Sequence, residues 1–542
     1  MVIDRLHPVR TQWVTGSLLV YAGEKDLTQR PSKVLLVYPP SRTQSHSTCP
    51  VGLLSLGAVL TGAGHVVRIL DANAVRHRLT SEQIVEEALA FGPDVIGVTL
   101  LTPLAREAYR LAALLRPAGA RLLAGGPHAT LVPEEPLAHG FDAVAMGEGE
   151  PVVEVAVQAL RGSVPMDSVP GFLWRTASGE IGRTAPAPPP PVLDALPLPA
   201  RHLANPEHYE PIRDGAVLFS SRGCPARCSY CAGGLFGKKL RYRSAGHVVG
   251  EMEEIHRAHG TRHFHFCDDS MSMDRKRMRA ICEGIIAARL PITWSMMTRV
   301  DGVDEEMLGL AARSGCVAVD YGVESGCPST LRRIRKPHTV EMVRRVVPLT
   351  RRLGIEPNVF FILGFPWESP AEIEETRALM EELAPHVGRF HPAIGSVLVP
   401  FPCTEIYETY KGRCGFEDWW IGEERNFDVP RIGTHSYAEC VMFRCGAILD
   451  ADFFRYSPEV RRKILEVFRF MHFTNLRSHR PVSRIVRKLA FSVSFGLAER
   501  WPWVERRLFG SLAGIAEALR QRVPQRVEAR LPAGGGAPEA SA

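Results

Sequence analysis

Short apolar runs alternate with amphipathic stretches along most of this chain, in two series separated by a stiff proline run. The first series predicts strands at Lys33–Val37, Val66–Leu70, Asp94–Thr99, Arg121–Ala124 and Phe141–Ala145. Helical stretches lie between them at Gly52–Gly64, Ser81–Ala90, Leu104–Leu115 and Pro151–Leu160. Apolar strands alternating with amphipathic helices build a parallel sheet covered on both faces. Five such units predict a doubly wound, Rossmann-like α/β domain whose ligand sits beyond the carboxyl ends of the strands. Gly171–Trp174 and Glu180–Arg183 predict a small hairpin. Ala185-Pro-Ala-Pro-Pro-Pro-Pro191 then reads as a polyproline linker.

The second series predicts strands at Ala216–Ser220 and near His263–Phe266, Ile292–Met296, Val317–Tyr321, Pro357–Leu363 and Ala393–Leu398. Helices fill the gaps at Ala245–Ala258, Asp274–Ala288, Asp304–Arg313, Val340–Leu353 and Pro370–Leu383. This fits a (βα)6 partial barrel, two repeats short of a closed TIM barrel. The expected organisation is a Rossmann-like domain at 30–165, hairpin and linker at 166–212, the barrel at 213–402, a mixed and helical region at 403–530, and a disordered tail at 531–542.

Charge is unevenly spread. The net charge of +6 is small for 542 residues, yet Arg455–Arg530 holds 17 Lys and Arg against 6 Asp and Glu. A basic end on a mildly acidic body argues against a nucleic-acid-binding body. No apolar run is long enough for a transmembrane helix, and Met1–Arg10 has no apolar signal core. A cytoplasmic protein is therefore expected, and its cysteines serve metal binding or chemistry rather than disulfides.

Cys224, Cys228 and Cys231 are spaced C-x3-C-x2-C directly after the first barrel strand. Three thiolates on one loop can hold three irons of a 4Fe–4S cube and leave the fourth iron open to a substrate or cofactor. The alternatives are buried cysteines or structural zinc. Structural zinc needs four ligands, and no second C-x2-C pair exists.

The triplet, with aromatic Tyr230 before its last cysteine and a partial barrel behind it, resembles the radical S-adenosylmethionine (SAM) superfamily. The α/β domain and linker ahead of it resemble the cobalamin-binding branch. The resemblance covers about residues 33–400. It implies that SAM chelates the open iron and is cleaved to a 5′-deoxyadenosyl radical, the cofactors carrying the chemistry. It places Asp268 and Asp269 after the second barrel strand where they orient SAM or substrate, with helix capping as the alternative. Arg299 would meet the SAM carboxylate. Glu324 and Ser325 fall in the ribose- and SAM-contacting segment, and Gly364 and Pro366 in the segment lining the adenine. Cys267, Cys282 and Cys316 read as core.

Cobalamin domains of the mutases carry Asp-x-His-x-x-Gly after the first strand, and here that position reads Tyr38-Pro-Pro-Ser-Arg-Thr-Gln44. His46 is nearby at a different spacing, so no protein ligand to cobalt is expected. Thr99, Gly125, Gly126, His128, Gly147 and Glu148 stand where the resemblance puts cobalamin contacts.

Cys403, Cys414, Cys440 and Cys445 are irregularly spaced and read as isolated cysteines, with a second cluster as the alternative. Glu417–Glu424 and His435–Tyr437 are expected to cap the barrel mouth. Val482–Phe495, followed by Trp501 and Trp503, is either a helical subdomain packed on the barrel or a membrane-surface segment. The leading expectation is a cobalamin-dependent radical SAM methyltransferase acting on an unactivated carbon of a small-molecule or lipid-like substrate. It would take electrons from a flavodoxin or ferredoxin and make at most peripheral membrane contact. An oxidative cyclase of the same architecture is the runner-up, and a corrinoid carrier or sensor the non-enzymatic alternative.

Overall fold

The computed structural model describes residues 31–41, 46–212, 214–233, 235, 237–422 and 453–475. His435–Tyr437, Cys440, Cys445, Val482–Phe495, Trp501, Trp503 and the tail 531–542 lie outside the described residues. Among the described residues no helix is long and apolar enough to cross a membrane.

The first sheet has strands β1 (Lys33–Tyr38), β2 (Val66–Asp71), β3 (Val95–Thr99), β4 (Arg121–Gly125) and β5 (Ala143–Ala145). They run parallel in the order β2-β1-β3-β4-β5. The order reverses between β1 and β3, so a crevice opens beyond their carboxyl ends. β1 is apolar and buried from Val34 to Val37, as a strand covered on both faces must be. The helix Ser81–Phe91 starts at a capping box of Thr80 with Gln83 and ends at left-handed Gly92. The hairpin strands are β6 (Phe172–Arg175), which pairs antiparallel with β5, and β7 (Ile181–Arg183), which pairs antiparallel with β6. They extend this sheet rather than stand apart with the linker.

The second sheet has six parallel strands in chain order: β8 (Ala216–Leu218), β9 (His263–Phe266), β10 (Thr293–Thr298), β11 (Cys316–Glu324), β12 (Glu356–Leu363) and β13 (Arg389–Val397). Helices cover its outer face and bury Val248, Ile281, Leu308, Val347 and Leu379 against it. Asp274, Asp304, Thr339 and Ser369 cap the helices that follow them. The six strands form the open barrel expected from the alternation.

Beyond the barrel lie Trp419 and Trp420, the first donating from Nε1 to Pro400 O, just after β13, at 2.9 Å. They are buried with Phe416 and Phe453 in a core shared with the first domain, and Trp420 Nε1 donates to Glu135 at 2.9 Å. The helix Pro458–Asn475 packs on the barrel, where Asn475 Oδ1 accepts from Phe390 N–H and its Nδ2 donates to Phe390 O.

Candidate functional site

The cysteine loop is closed at its base by a short antiparallel pair, Ser221–Arg222 with Arg241–Tyr242. Gly223 sits at the neck with φ +90°, where a Cβ would come within 3.0 Å of Gly237 O. Cys224 N–H donates to Gly237 O at 3.3 Å, Ser229 N–H to Ile334 O at 3.2 Å, and Gly233 N–H to Cys231 Sγ at 3.2 Å. Cys224 and Cys228 are half-buried and Cys231 is exposed. Burial pushes the Cys228 thiol up while Lys336 pulls it down. Among the described residues no group of three or more His, Cys, Asp or Glu side chains is gathered to hold one metal ion. Three thiolates that each hold a different iron need the wider spacing of a single open loop. The three thiols feel one another's charge and face nearby cations, so the donor set fits a cube.

Of those cations, Arg299 follows β10 directly and Lys336 follows the short helix Pro328–Arg333. Lys336 Nζ lies 2.9 Å from Glu324 Oε1, and both side chains are buried. Burial acts to depress the Lys336 ammonium, but Glu324 and Cys228 outweigh it and hold the group above its usual range. Glu324 closes β11 at φ +68°, a left-handed position uncommon for a residue with a Cβ. Tyr230 packs edge-on to Phe365 at 6.1 Å, and burial, then Glu324, drive its phenol well above the usual range. Arg299 pairs with Asp301 at 2.8 Å and feels the charge of Cys224 and Cys228.

A cavity of about 660 Å³ lies between the two domains, within the size usual for ligand sites. One wall is the crevice of the first sheet, with Thr99, Gly125, Gly126 and Gly147. The other is the barrel rim, with Phe219, Arg222, Cys267 and Asp269. Gly52, Gly125 and Gly147 line it, and a Cβ at any of them would meet only open space. Gly126 is needed for a different reason. At φ +93° its missing Cβ lets β3 and β4 close, since a Cβ would stand 2.7 Å from Thr99 Oγ1. A largely apolar cradle roofed by glycines fits a large flat ligand such as a corrinoid.

Glu148 lines this cavity, but its carboxylate is taken by the domain interface. It accepts from Arg222 at 2.5 Å and from Arg241 at 3.2 Å, while Glu150 takes Arg222 at 2.6 Å. Arg241 also donates to Pro190 O in the linker at 3.2 Å. The base of the cysteine loop is thereby tied to this cavity.

Four of the expected contact residues lie outside the cavity lining. His128 is fully buried outside the cavity, between Thr102 Oγ1 at 3.2 Å and Glu135 at 3.1 Å. Asp268 is buried and accepts from Ser220 N–H and Ser221 Oγ, both at 2.6 Å, so it anchors the loop base. Ser325 turns inward to Thr376 Oγ1 at 3.1 Å and to Cys327 N–H. Gly364 is covered by Tyr456, whose hydroxyl donates to its carbonyl. Pro366 beside it is half-buried. Asp269, unlike Asp268, faces the cavity, with its carboxyl raised by burial and by Asp268. The capping acid of the next helix is Asp274, not either of these two. Cys282 and Cys316 are core, whereas Cys267 lines the cavity. Cys403 Sγ contacts Leu131 O at 3.2 Å. Lys336, Arg222, Arg241 and the pair His46–Asp71 belong to the site and carry no local spacing signal.

Comparison with known proteins agrees with this geometry. Residues 218–380 match the Radical SAM superfamily and residues 44–157 the B12 binding domain. The chain is 30% identical over 392 residues to an uncharacterized methyltransferase of Pyrococcus horikoshii, covering 69% of this chain and 82% of that protein. It is 30% identical to the cytidylyl-2-hydroxyethylphosphonate methyltransferase of Streptomyces wedmorensis, covering 76% and 90% respectively. The fold matches the radical SAM methyltransferase TsrM of Kitasatospora setae, solved with cobalamin and a [4Fe-4S] cluster. That match has a TM-score of 0.60 at 21% identity and covers 71% of this chain and 76% of that one. With its two domains meeting at one cavity beside the cysteine loop, this chain belongs to the cobalamin-binding branch of the radical SAM superfamily.

Proposed function

We propose that this chain transfers a methyl group from SAM to an unactivated carbon of a small molecule. One observation carries the reading: a single cavity joins the strand-end crevice of the first domain to the rim of the barrel that bears the cysteine loop. Bound cluster, SAM and corrinoid would supply the one-electron and methyl-carrier chemistry of the superfamily.

The chain's own residues have separate tasks. Cys224, Cys228 and Cys231 would hold three irons. Lys336 offsets the negative charge gathered there, and Glu324 presents a carboxylate to the ribose or ammonium of SAM. Gly125 and Gly147 leave room for the corrinoid, and the Glu148 clamp keeps its cavity against the barrel rim. The apolar walls, Leu36, Leu53, Leu56 and Val98 among them, exclude water that would quench reactive species. A reducing partner such as a flavodoxin or ferredoxin would deliver the electron.

The test is anaerobic turnover of reconstituted protein with methyl-labelled SAM, a reductant and a metabolite extract. The expected result is a product heavier by one labelled methyl group, absent from the Cys224→Ala/Cys228→Ala/Cys231→Ala variant. A product that has lost hydrogen and gained no label would replace methylation with oxidative cyclisation.

A further inference from the structure

We infer that His46 supplies a nitrogen ligand to the cobalt of a bound corrinoid, from the first-domain wall of the cavity. This rests on the corrinoid reading of that cavity and reverses the expectation of a cobalt without a protein ligand.

His46 lines the cavity, and its ring is fixed on several sides. Its Nδ1 lies 2.8 Å from Asp71 Oδ2 and 2.9 Å from Oδ1. Asp71 closes β2, and its side chain is fully buried. The same carboxylate accepts from Asn73 N–H at 3.0 Å and from the Tyr209 hydroxyl at 3.3 Å. Tyr38, at the end of β1, packs edge-on to the imidazole at 4.5 Å and 86°. The backbone is held as firmly. His46 N–H donates to Asn73 O at 2.7 Å, and Val75 N–H donates to His46 O at 2.9 Å.

The consequence is a defined tautomer. An ionised carboxylate only accepts, so Nδ1 carries the proton and the lone pair is on Nε2. No hydrogen bond engages Nε2 among the described residues. An imidazole oriented by a buried carboxylate through one nitrogen, with the other nitrogen free beside a ligand cavity, is the arrangement that prepares histidine for a metal. The second cavity imidazole, His247, stands on the barrel wall and is held by Arg243 at 3.0 Å and Asp194 at 3.2 Å. Coordination through His46 therefore engages the cobalt from the first domain and leaves its barrel-facing side open to SAM and substrate.

The carboxylate partner comes from β2, 25 residues along the chain. The pair is for that reason invisible to a search for Asp-x-His-x-x-Gly.

The test uses the full chain loaded anaerobically with cob(II)inamide, a corrinoid that lacks its own benzimidazole base. Electron paramagnetic resonance should show each high-field cobalt line split into a triplet by one nitrogen. Protein grown with 15N-histidine should show doublets instead, and His46→Gln should retain corrinoid with unsplit lines. Unsplit lines from bound corrinoid in the parent would overturn the ligand assignment and leave the corrinoid site standing. Splitting that survives in His46→Gln would overturn it in favour of another donor. Failure of the parent to retain any corrinoid would overturn both this inference and the reading of the cavity.

Discussion

Glu324 Oε1 stands 2.9 Å from Lys336 Nζ, and the two side chains are withdrawn from solvent beside the cysteine loop. Removing one partner of a buried pair leaves an uncompensated charge, which costs about 3–5 kcal/mol. Lys336→Met and Glu324→Gln should each show a loss of that order in denaturant unfolding. The double variant should lose clearly less than the sum, because neither charge is then stranded. Strictly additive losses would mean that the two groups are not coupled.

The same carboxylate has a second role that can be measured separately. Glu324 ligates no iron in the proposed site, so Glu324→Gln should keep the iron and sulfide content of the parent. Loss of one charge-assisted hydrogen bond costs on the order of 1.5–3 kcal/mol, roughly tenfold to over a hundredfold in SAM affinity. Equilibrium binding of SAM to folded, reconstituted variant is the measurement. Parent-like affinity would remove Glu324 from the SAM site.

Part of this site was legible in the sequence because it is local. Strands covered on both faces read as apolar runs, and Val34–Val37 and Val95–Val98 are such runs. The cysteine triplet needs only one loop to act, so its spacing survives in the chain. Which way a side chain turns at a strand end is different, because neighbours from elsewhere decide it. Asp268 turns under the loop while adjacent Asp269 faces the cavity, since Ser220 and Ser221 satisfy the first. His128 was drawn away from the Gly125-Gly126 turn by Glu135 and Trp420, the latter 285 residues from Glu135. Lys336 reaches Glu324 across a helix and a turn, with no periodicity to announce it. Such pairings are set by tertiary packing, and one sequence holds no record of them.

The glycine at the end of β4 gives a direct test of the corrinoid cavity. A Cβ on Gly125 meets no atom within 4 Å, and its φ is not positive, so a side chain there is unstrained and projects into open space. Gly125→Leu should therefore fold with a melting temperature near that of the parent. It should retain less than a tenth of the corrinoid under conditions that load the parent fully, as read from the visible spectrum. A variant that loads normally would place the corrinoid elsewhere.

Glu368 gives the chain a pH signature. Its carboxylate is buried and accepts from Gly364 N–H at 2.8 Å and Phe365 N–H at 3.0 Å, which holds the turn after β12. Burial raises its pKa from 4.5 to about 8, and those two N–H groups only partly oppose the shift. Between these values the folded chain keeps a proton that the unfolded chain has released. Stability from this group is therefore fully present below about pH 4.5 and is lost as pH rises towards 8. Glu368→Gln keeps the shape, with an amide oxygen for the two N–H groups and an NH₂ facing Thr330 Oγ1, which lies 3.5 Å from the native carboxylate. The difference in unfolding free energy between parent and variant should shift in favour of the variant from pH 5 to 8. Its slope should be at most about 1.4 kcal/mol per pH unit. A difference that stays constant across that range would show that Glu368 is already ionised in the folded chain at pH 5.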